Sequence, residues 1–324
     1  MLTVYTHDQD RIAMLKESVP PEETTQPFWI DLASPTTEER RLVSERTGLA
    51  IPTREEMVEI ETSSRLYQEN NTLFMTANLP YVGSKTVPET TAVTFAINEA
   101  QLITIRYGDP KSIELFRQRL DKDPGYGTSP AHALFGMLDI IVDRVADLIE
   151  QAAGEIDQMS VAIFNVGISA RKADGYKKAI KQIGRTGILV AKMHEIIATL
   201  TRLIYFLGQS SAVAGLTKTH RSQLKTLGRD LRSIREHGDA LDTKLNFLLD
   251  ATVGLVNLEQ NQIIKIFSVV AVVFMPPTLI ASVYGMNFID MPELKWDLGY
   301  EFSIFLMLLS AMMTWGFFRI RKLL

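Results

Sequence analysis

The sequence predicts an α+β domain, built as an α/β sandwich, followed by a long stalk helix and a two-helix transmembrane hairpin. Three observations carry that prediction. From Ile266 to Ile289, and again from Phe302 to Phe318, no charged side chain occurs, and about 20 such residues in a helix cross a ~30 Å hydrocarbon core. Upstream, apolar residues step by three and four from Leu224 to Leu255, with no proline before Pro276, the period of a continuous amphipathic helix. The first third instead holds short runs of β-branched and aromatic residues between turn formers, which read as strands.

Residues 1–125 are read as the cytosolic α/β domain. Leu2–Tyr5 and Phe28–Leu32 are strand-forming, and Ser34 is placed to cap a helix with Pro35 at its first position. That helix runs to Gly48, with Glu38 and Glu39 in the first turn and Leu42 and Val43 turned inward. Leu73–Tyr81, Thr91–Ile97 and Leu102–Tyr107 are further strands, the last two joined through a turn at Asn98-Glu99-Ala100-Gln101. No Gly-rich phosphate loop, nucleophile elbow or paired-His motif interrupts them. His7 and His132 have no partner at ligand spacing and are expected at the surface or in caps. Glu55, Glu56, Glu59 and Glu61 admit two readings: a solvated helix face, or carboxylates for a hard cation at a subunit interface.

Composition narrows the function classes. A net charge of −4 argues against nucleic acid as partner, which calls for a concentrated basic surface. The absence of cysteine excludes disulfides, thiolate metal ligands and a cysteine nucleophile. Met1–Asp8 has neither a basic n-region nor an apolar h-region, so the soluble portion is expected to stay cytoplasmic.

Asp123-Pro124-Gly125-Tyr126-Gly127 breaks the pattern and is taken as a boundary. Beyond it, 126–213 reads as an antiparallel helical pair, Ala131–Val166 and Tyr176–Leu207, joined through Gly167–Arg171. Residues 214–262 are the stalk. Its seam of Leu227, Leu231, Ile234, Gly238, Leu241, Leu245, Leu248, Thr252 and Leu255 is the heptad pattern of a coiled coil and points to self-association. Gly238 and Gly254 interrupt it at a cost of up to ~1 kcal/mol each relative to Ala.

The hairpin follows as a first span at 263–284, an external loop at 285–301, a second span at 302–320 and a basic tail at 321–324. Lys265 precedes the first span, and Arg319, Arg321 and Lys322 close the second. Positive charge inside then places both termini in the cytoplasm and the loop outside. Continuing the three-four stepping puts Asn261, Ile264, Ser268 with Phe267 beside it, Ala271, Met275, Thr278 and Ser282 on one face. A small, polar or flexible face of this kind either lines a path or packs helix on helix. Two helices cannot enclose a path alone, so the first reading requires several copies.

Tyr284-Gly285-Met286-Asn287-Phe288, followed by Met291-Pro292-Glu293-Leu294-Lys295-Trp296 and preceded by Phe274-Met275-Pro276-Pro277-Thr278, resembles the CorA family of divalent-cation channels. Weaker likenesses lie at Trp29-Ile30-Asp31-Leu32 and Leu102-Ile103-Thr104-Ile105-Arg106. The resemblance implies a funnel-shaped homopentamer of the inner membrane that takes up Mg2+ passively. By the same resemblance Gly285, Met286 and Asn287 form the selectivity filter, supported by Tyr284 and Phe288. Ile264, Phe267 and Met275 match positions that narrow the family's pore, and Asn261 and Thr278 match its polar positions. A regulatory carboxylate facing the next subunit falls nearest to Asp230, for which an ion pair with Arg229 or Arg235 is an equal contender. Asp290 and Glu293 either concentrate cations at the mouth or simply solvate the loop, with Lys295 opposing the former. Co2+ and Ni2+ remain candidate ions, and Zn2+ transporters of the superfamily depart from this Met and this acidic loop. A membrane-anchored scaffold or enzyme is the alternative of another class.

Overall fold

In a computed structural model of the chain, the described residues are 1–8, 11–16, 27–59, 61–81, 89–165, 172–210, 215–286, 291 and 296–321. They divide into two compact units, Met1–Leu249 and Asp250–Leu324.

Unit 1 is built on one seven-stranded sheet. Its strands are β1 (Leu2–Asp8), β2 (Arg11–Lys16), β3 (Trp29–Ala33), β4 (Leu66–Glu69), β5 (Thr72–Tyr81), β6 (Glu89–Ile97) and β7 (Leu102–Arg106), in the order β2-β1-β3-β7-β6-β5-β4. Only β3 and β7 run parallel. The two weaker family-like runs are these neighbours, with Asp31 opposite Thr104 and Ala33 opposite Arg106. The β6–β7 turn forms as expected, with Asn98 Oδ1 accepting the Ala100 and Gln101 amides at 2.9 Å.

Because side chains alternate along a strand, the sheet has two buried faces. One carries Leu2, Val4, Ile30, Leu32, Phe74, Ala96, Ile103 and Ile105 against Val43, Leu49 and Met57, which belong to α1 (Thr37–Thr47), the chain after it and α2 (Arg54–Met57). The other carries Tyr5, Trp29, Phe95 and Leu102, with Trp29 edge-on to Phe116 of α4 (Lys111–Lys122) at 5.4 Å. Helices α5 (Pro130–Asn165) and α6 (Lys172–Gln209) complete that layer, and Thr199 of α6 accepts the Asn78 amide at 3.0 Å. The turn at Pro124–Gly127 lies within this unit as a 3-10 turn.

A buried polar network crosses the second face. Asp31, fully buried, accepts from Thr104 Oγ1 at 2.7 Å and from Arg106 Nη2 at 3.0 Å, and pairs with Arg117. Arg106 also reaches Asp109 Oδ1 and the Gly108 carbonyl. Tyr5 stacks on Trp29 at 4.1 Å beside it, and burial pushes its hydroxyl up to about 12.

Several local expectations change. The α1 cap is Thr36, not Ser34: Thr36 Oγ1 accepts the Glu39 amide while Glu39 Oε2 accepts the Thr36 amide, a reciprocal capping box. Ser34 instead takes a left-handed turn at φ 44°. Val43 is buried as expected, but Leu42, expected to turn inward, is 40% exposed. Glu56 is committed to a second capping box with Thr53, and Glu55, Glu59 and Glu61 are exposed. His132 is at the surface, as expected, beside a cap that Ser129 supplies: Ser129 Oγ accepts the His132 amide at 3.2 Å and lies 2.8 Å from its Nδ1.

Helix α7 (Lys218–Tyr284) is unbroken over 67 residues and contributes to both units. Within unit 1 its seam residues Leu224, Leu227, Leu231, Leu241, Leu245 and Leu248 are buried by the same chain. His220 stacks on Phe135 of α5 at 4.9 Å, Lys244 pairs with Asp157 of α5, and Asp242 meets His194 of α6. This corrects the expectation that the seam is the surface of self-association. Three-four periodicity marks a buried face and does not say whose atoms cover it.

Candidate functional site

Unit 2 holds the remainder of α7 and a final helix, α8 (Gly299–Ile320). Both helices are long and apolar enough to cross a membrane. Their apolar stretches are almost wholly unburied. Core helices of a soluble protein would hide such surface, whereas Phe267, Phe274, Leu279, Phe305, Met312 and Met313 stand open here. Hydrocarbon is the solvent in which that arrangement is favourable.

Shielding within unit 2 runs in two stripes. On α7 it follows Val269, Val273, Pro276, Pro277, Ile280 and Tyr284; on α8 it follows Ser303, Leu306, Met307, Ser310, Ala311, Thr314 and Phe318. Both step by three or four, so each is one helix face. These are the only helices in the unit among the described residues, so each stripe is the face on which the other helix of a hairpin would pack. Small residues on the α8 side permit close approach.

The remaining face of α7 is the one singled out by sequence. Asn261, Ile264, Phe267, Ser268, Ala271, Met275, Thr278 and Ser282 are all exposed. At 3.6 residues per turn, Ala271 and Met275 point almost opposite to Val273. The packing stripe and the candidate stripe thus occupy opposite sides of one helix, and the first does not use up the second. Thr278 donates its hydroxyl to the Phe274 carbonyl at 2.7 Å, which leaves the oxygen free to accept outward.

Pro276 and Pro277 lie inside the helix and carry no N–H. The carbonyls of Val272 and Val273, four residues earlier, consequently lose their helical donors. Sequence reasoning used the prolines only as family markers and missed these two acceptors, although the Pro-Pro pair was the signal for them.

Helix α7 ends at Tyr284, after which Gly285 donates to Ala281 O at 2.9 Å and Met286 to Val283 O at 3.2 Å. A Cβ on Gly285 would lie 3.1 Å from the Ala281 carbonyl. Its value here is therefore room against a backbone oxygen. Left-handed backbone freedom is not what it supplies, since only Gly48 and Gly215 among the described glycines have positive φ. Tyr284 is partly buried and Met286 exposed. Asn287, Phe288, Asp290 and Glu293 lie outside the described residues.

In unit 1, Asp230 is exposed and makes no ion pair with Arg229 or Arg235. Its charge is felt by Asp143 of α5, whose carboxyl is held above the usual range by partial burial first and by Asp139 next. Arg119 opposes that shift, while Asp147 and Asp230 add to it. Among the described residues no three His, Asp or Glu side chains are placed to hold a metal ion.

Comparison with known proteins agrees with this architecture. The family model described as CorA-like Mg2+ transporter protein matches residues 25–322. The magnesium transport protein CorA of Escherichia coli is 31% identical over 323 residues, 98% of each chain. That of Salmonella typhimurium is 30% identical over 319 residues, again 98% of each. Among solved structures, the complete CorA magnesium transporter from Methanocaldococcus jannaschii superposes with a TM-score of 0.78 at 18% identity, covering 98% of both chains. On these grounds the chain belongs to the family of CorA-like Mg2+ transporters.

Proposed function

We propose that the chain is the subunit of a passive Mg2+ uptake channel, a funnel-shaped homopentamer in the inner membrane with both termini cytoplasmic. The observation that carries this reading is the exposed stripe from Asn261 to Ser282, opposite the hairpin's packing face. Several copies turned with that stripe inward would enclose a path, and the helix end at Tyr284–Gly285 would set Met286 and Asn287 around its mouth. In this division 1–125, 126–213 and 214–262 are the cytosolic domain, helical pair and stalk. Residues 263–284 and 302–320 span the bilayer around the 285–301 loop, and 321–324 form the tail.

Mg2+ gives up its octahedral water shell reluctantly. A ring of backbone carbonyls from Gly285 and Met286 with the Asn287 amide oxygens would accept hydrogen bonds from those waters without stripping them. Neutral oxygens hold the ion weakly enough for release, as conduction requires. Tyr284 and Phe288 would brace the ring, and Asp290 and Glu293 would raise the local cation concentration. Lower in the path, Ile264, Phe267 and Met275 form apolar constrictions that close by dewetting, while Asn261, Ser268, Ala271, Thr278 and Ser282 leave polar or open steps. Cytosolic Mg2+ held between subunits, with Asp230 contributing, keeps the stalks closed. Entry is driven by the membrane potential at ~2.3 kcal/mol per charge per 100 mV.

Co2+ and Ni2+ keep similar hydrated shells and are expected to compete. The anchored-enzyme alternative loses its ground because the family is one of transporters, not enzymes. The test is Mg2+ flux into proteoliposomes holding the purified chain. Asn287→Ala should abolish selective flux, and a variant conducting like the parent removes the filter assignment.

A further inference from the structure

Between α5 and α6 in unit 1 lies an open cleft of about 710 Å³ that the ion path does not use. Along one wall α6 presents Lys178, Lys181 and Arg185. Spaced three and four residues apart, they share one helix face and extend about 10 Å along it at 1.5 Å per residue. None of the three has an ion-pair or hydrogen-bond partner among the described residues. The one carboxylate in the cleft, Glu155 of α5, is committed elsewhere. Thr186 Oγ1 donates to one of its oxygens at 3.2 Å and Gln151 Nε2 to the other at 3.2 Å.

Like charges at these spacings destabilise a helix by ~0.2–0.5 kcal/mol per pair. A solvated helix face offsets that by interleaving acids, as α5 does with Arg144 beside Asp147. Among the described residues the α6 wall contains no such offset, and its three cations outnumber the single carboxylate of the cleft, so the site carries a positive excess that concentrates anions. The cleft floor adds apolar surface from Leu148 and Leu189 beside the amides of Gln158 and Gln182. Its volume falls in the ~300–1,000 Å³ range of small-molecule sites.

We propose that this cleft binds a soluble clustered-phosphate anion of the nucleoside triphosphate class. Lys178, Lys181 and Arg185 would bracket the phosphate chain, whose length matches the row of cations. Arg185 offers the bidentate fork suited to phosphate oxygens. The Leu148–Leu189 floor and neighbouring glutamines would take the nucleoside. Binding is read here without reference to ion flux, so the site stands apart from the channel reading.

The experiment is calorimetric titration of the full chain in uncharged detergent, with EDTA present so that the phosphates carry full charge. ATP and inorganic tripolyphosphate form one arm and short-chain phosphatidylglycerol the other. Both polyphosphates should bind. The triple variant Lys178→Gln, Lys181→Gln, Arg185→Gln should weaken binding at least tenfold, and Lys178→Arg, Lys181→Arg, Arg185→Lys should restore it to within about threefold. These side chains are exposed and mutually repelling, so the triple variant is expected to keep its helical circular dichroism and elution volume. Absence of polyphosphate binding, unchanged affinity in the triple variant, or binding of the lipid headgroup alone overturns the proposal.

Discussion

The imidazole of His194 on α6 rests directly over Gly238 on α7: a Cβ at that glycine would sit 2.9 Å from His194 Cε1 and 3.2 Å from Nε2. Held there, His194 Nε2 lies 3.1 Å from Asp242 and 3.7 Å from Asp239. The glycine that looks like a defect in the seam is the socket for a side chain of another helix. Gly238→Ala should therefore destabilise unit 1, because overpacking strain of ~1–3 kcal/mol exceeds the ~1 kcal/mol that Ala gains as a helix former. Gly228→Ala on the same helix meets nothing within 4 Å and should instead raise the melting temperature. Thermal melts of the two variants, followed by circular dichroism, should move in opposite directions.

Asp31 is buried between three donors, two of them cationic. Asp31→Ala removes the buried counterion of Arg106 and leaves it only the exposed carboxylate of Asp109, at an expected loss of ~3–5 kcal/mol. Urea denaturation of unit 1 in the full chain measures this, and a loss below 1 kcal/mol would show that water replaces the carboxylate.

Burial first, and the neighbouring His132 next, hold His220 below its ordinary value of 6.5. Its Nδ1 accepts the Thr217 amide at 3.4 Å while Thr217 Oγ1 accepts the His220 amide, so the neutral ring caps the start of α7. The unfolded chain takes up the proton first, and stability is accordingly lost as pH falls from 6.5 towards the lower folded value. His220→Gln should flatten this part of the stability profile, as read from melts between pH 7.5 and pH 5.

How much of this was legible in advance depends on what kind of physics wrote each feature. An uncharged run long enough to span a bilayer is read residue by residue, so both membrane helices and the exposed α7 stripe were found directly. Strands β5 to β7, rich in β-branched and aromatic residues, were found as well. Helix α4 was missed because its Lys-Ser-Ile-Glu start offers no capping residue, its cap being Pro110 with no side-chain hydrogen bond. Strands β2 and β4 are the two edges of the sheet, and β4, with two of its four residues exposed, has little burial pressure to write a pattern. The α7 seam was seen and its partner misjudged, since Leu231 records only that it is covered. The His194–Gly238 contact joins residues 44 positions apart through tertiary packing, and no local signal marks it.

Gly285→Ala puts a methyl 3.1 Å from the Ala281 carbonyl at the end of α7. Strain of ~1–3 kcal/mol at that point would be relieved by shifting the turn that follows. On the channel reading, Mg2+ flux should fall by about tenfold, the rate equivalent of 1.4 kcal/mol. The helical content and melting of the protein should be unaltered, and parental flux would show that the turn tolerates the shift.

The in-chain burial of Leu224, Leu231, Leu241 and Leu248 bears on molecularity. A seam shared between subunits makes folding second order, so that dilute chains wait unfolded for one another. Here unit 1 closes on itself in a first-order step, and its melting temperature should be independent of protein concentration. On the channel reading, assembly would then be left to surfaces already formed, and a nascent chain would carry a finished domain before it meets a second copy.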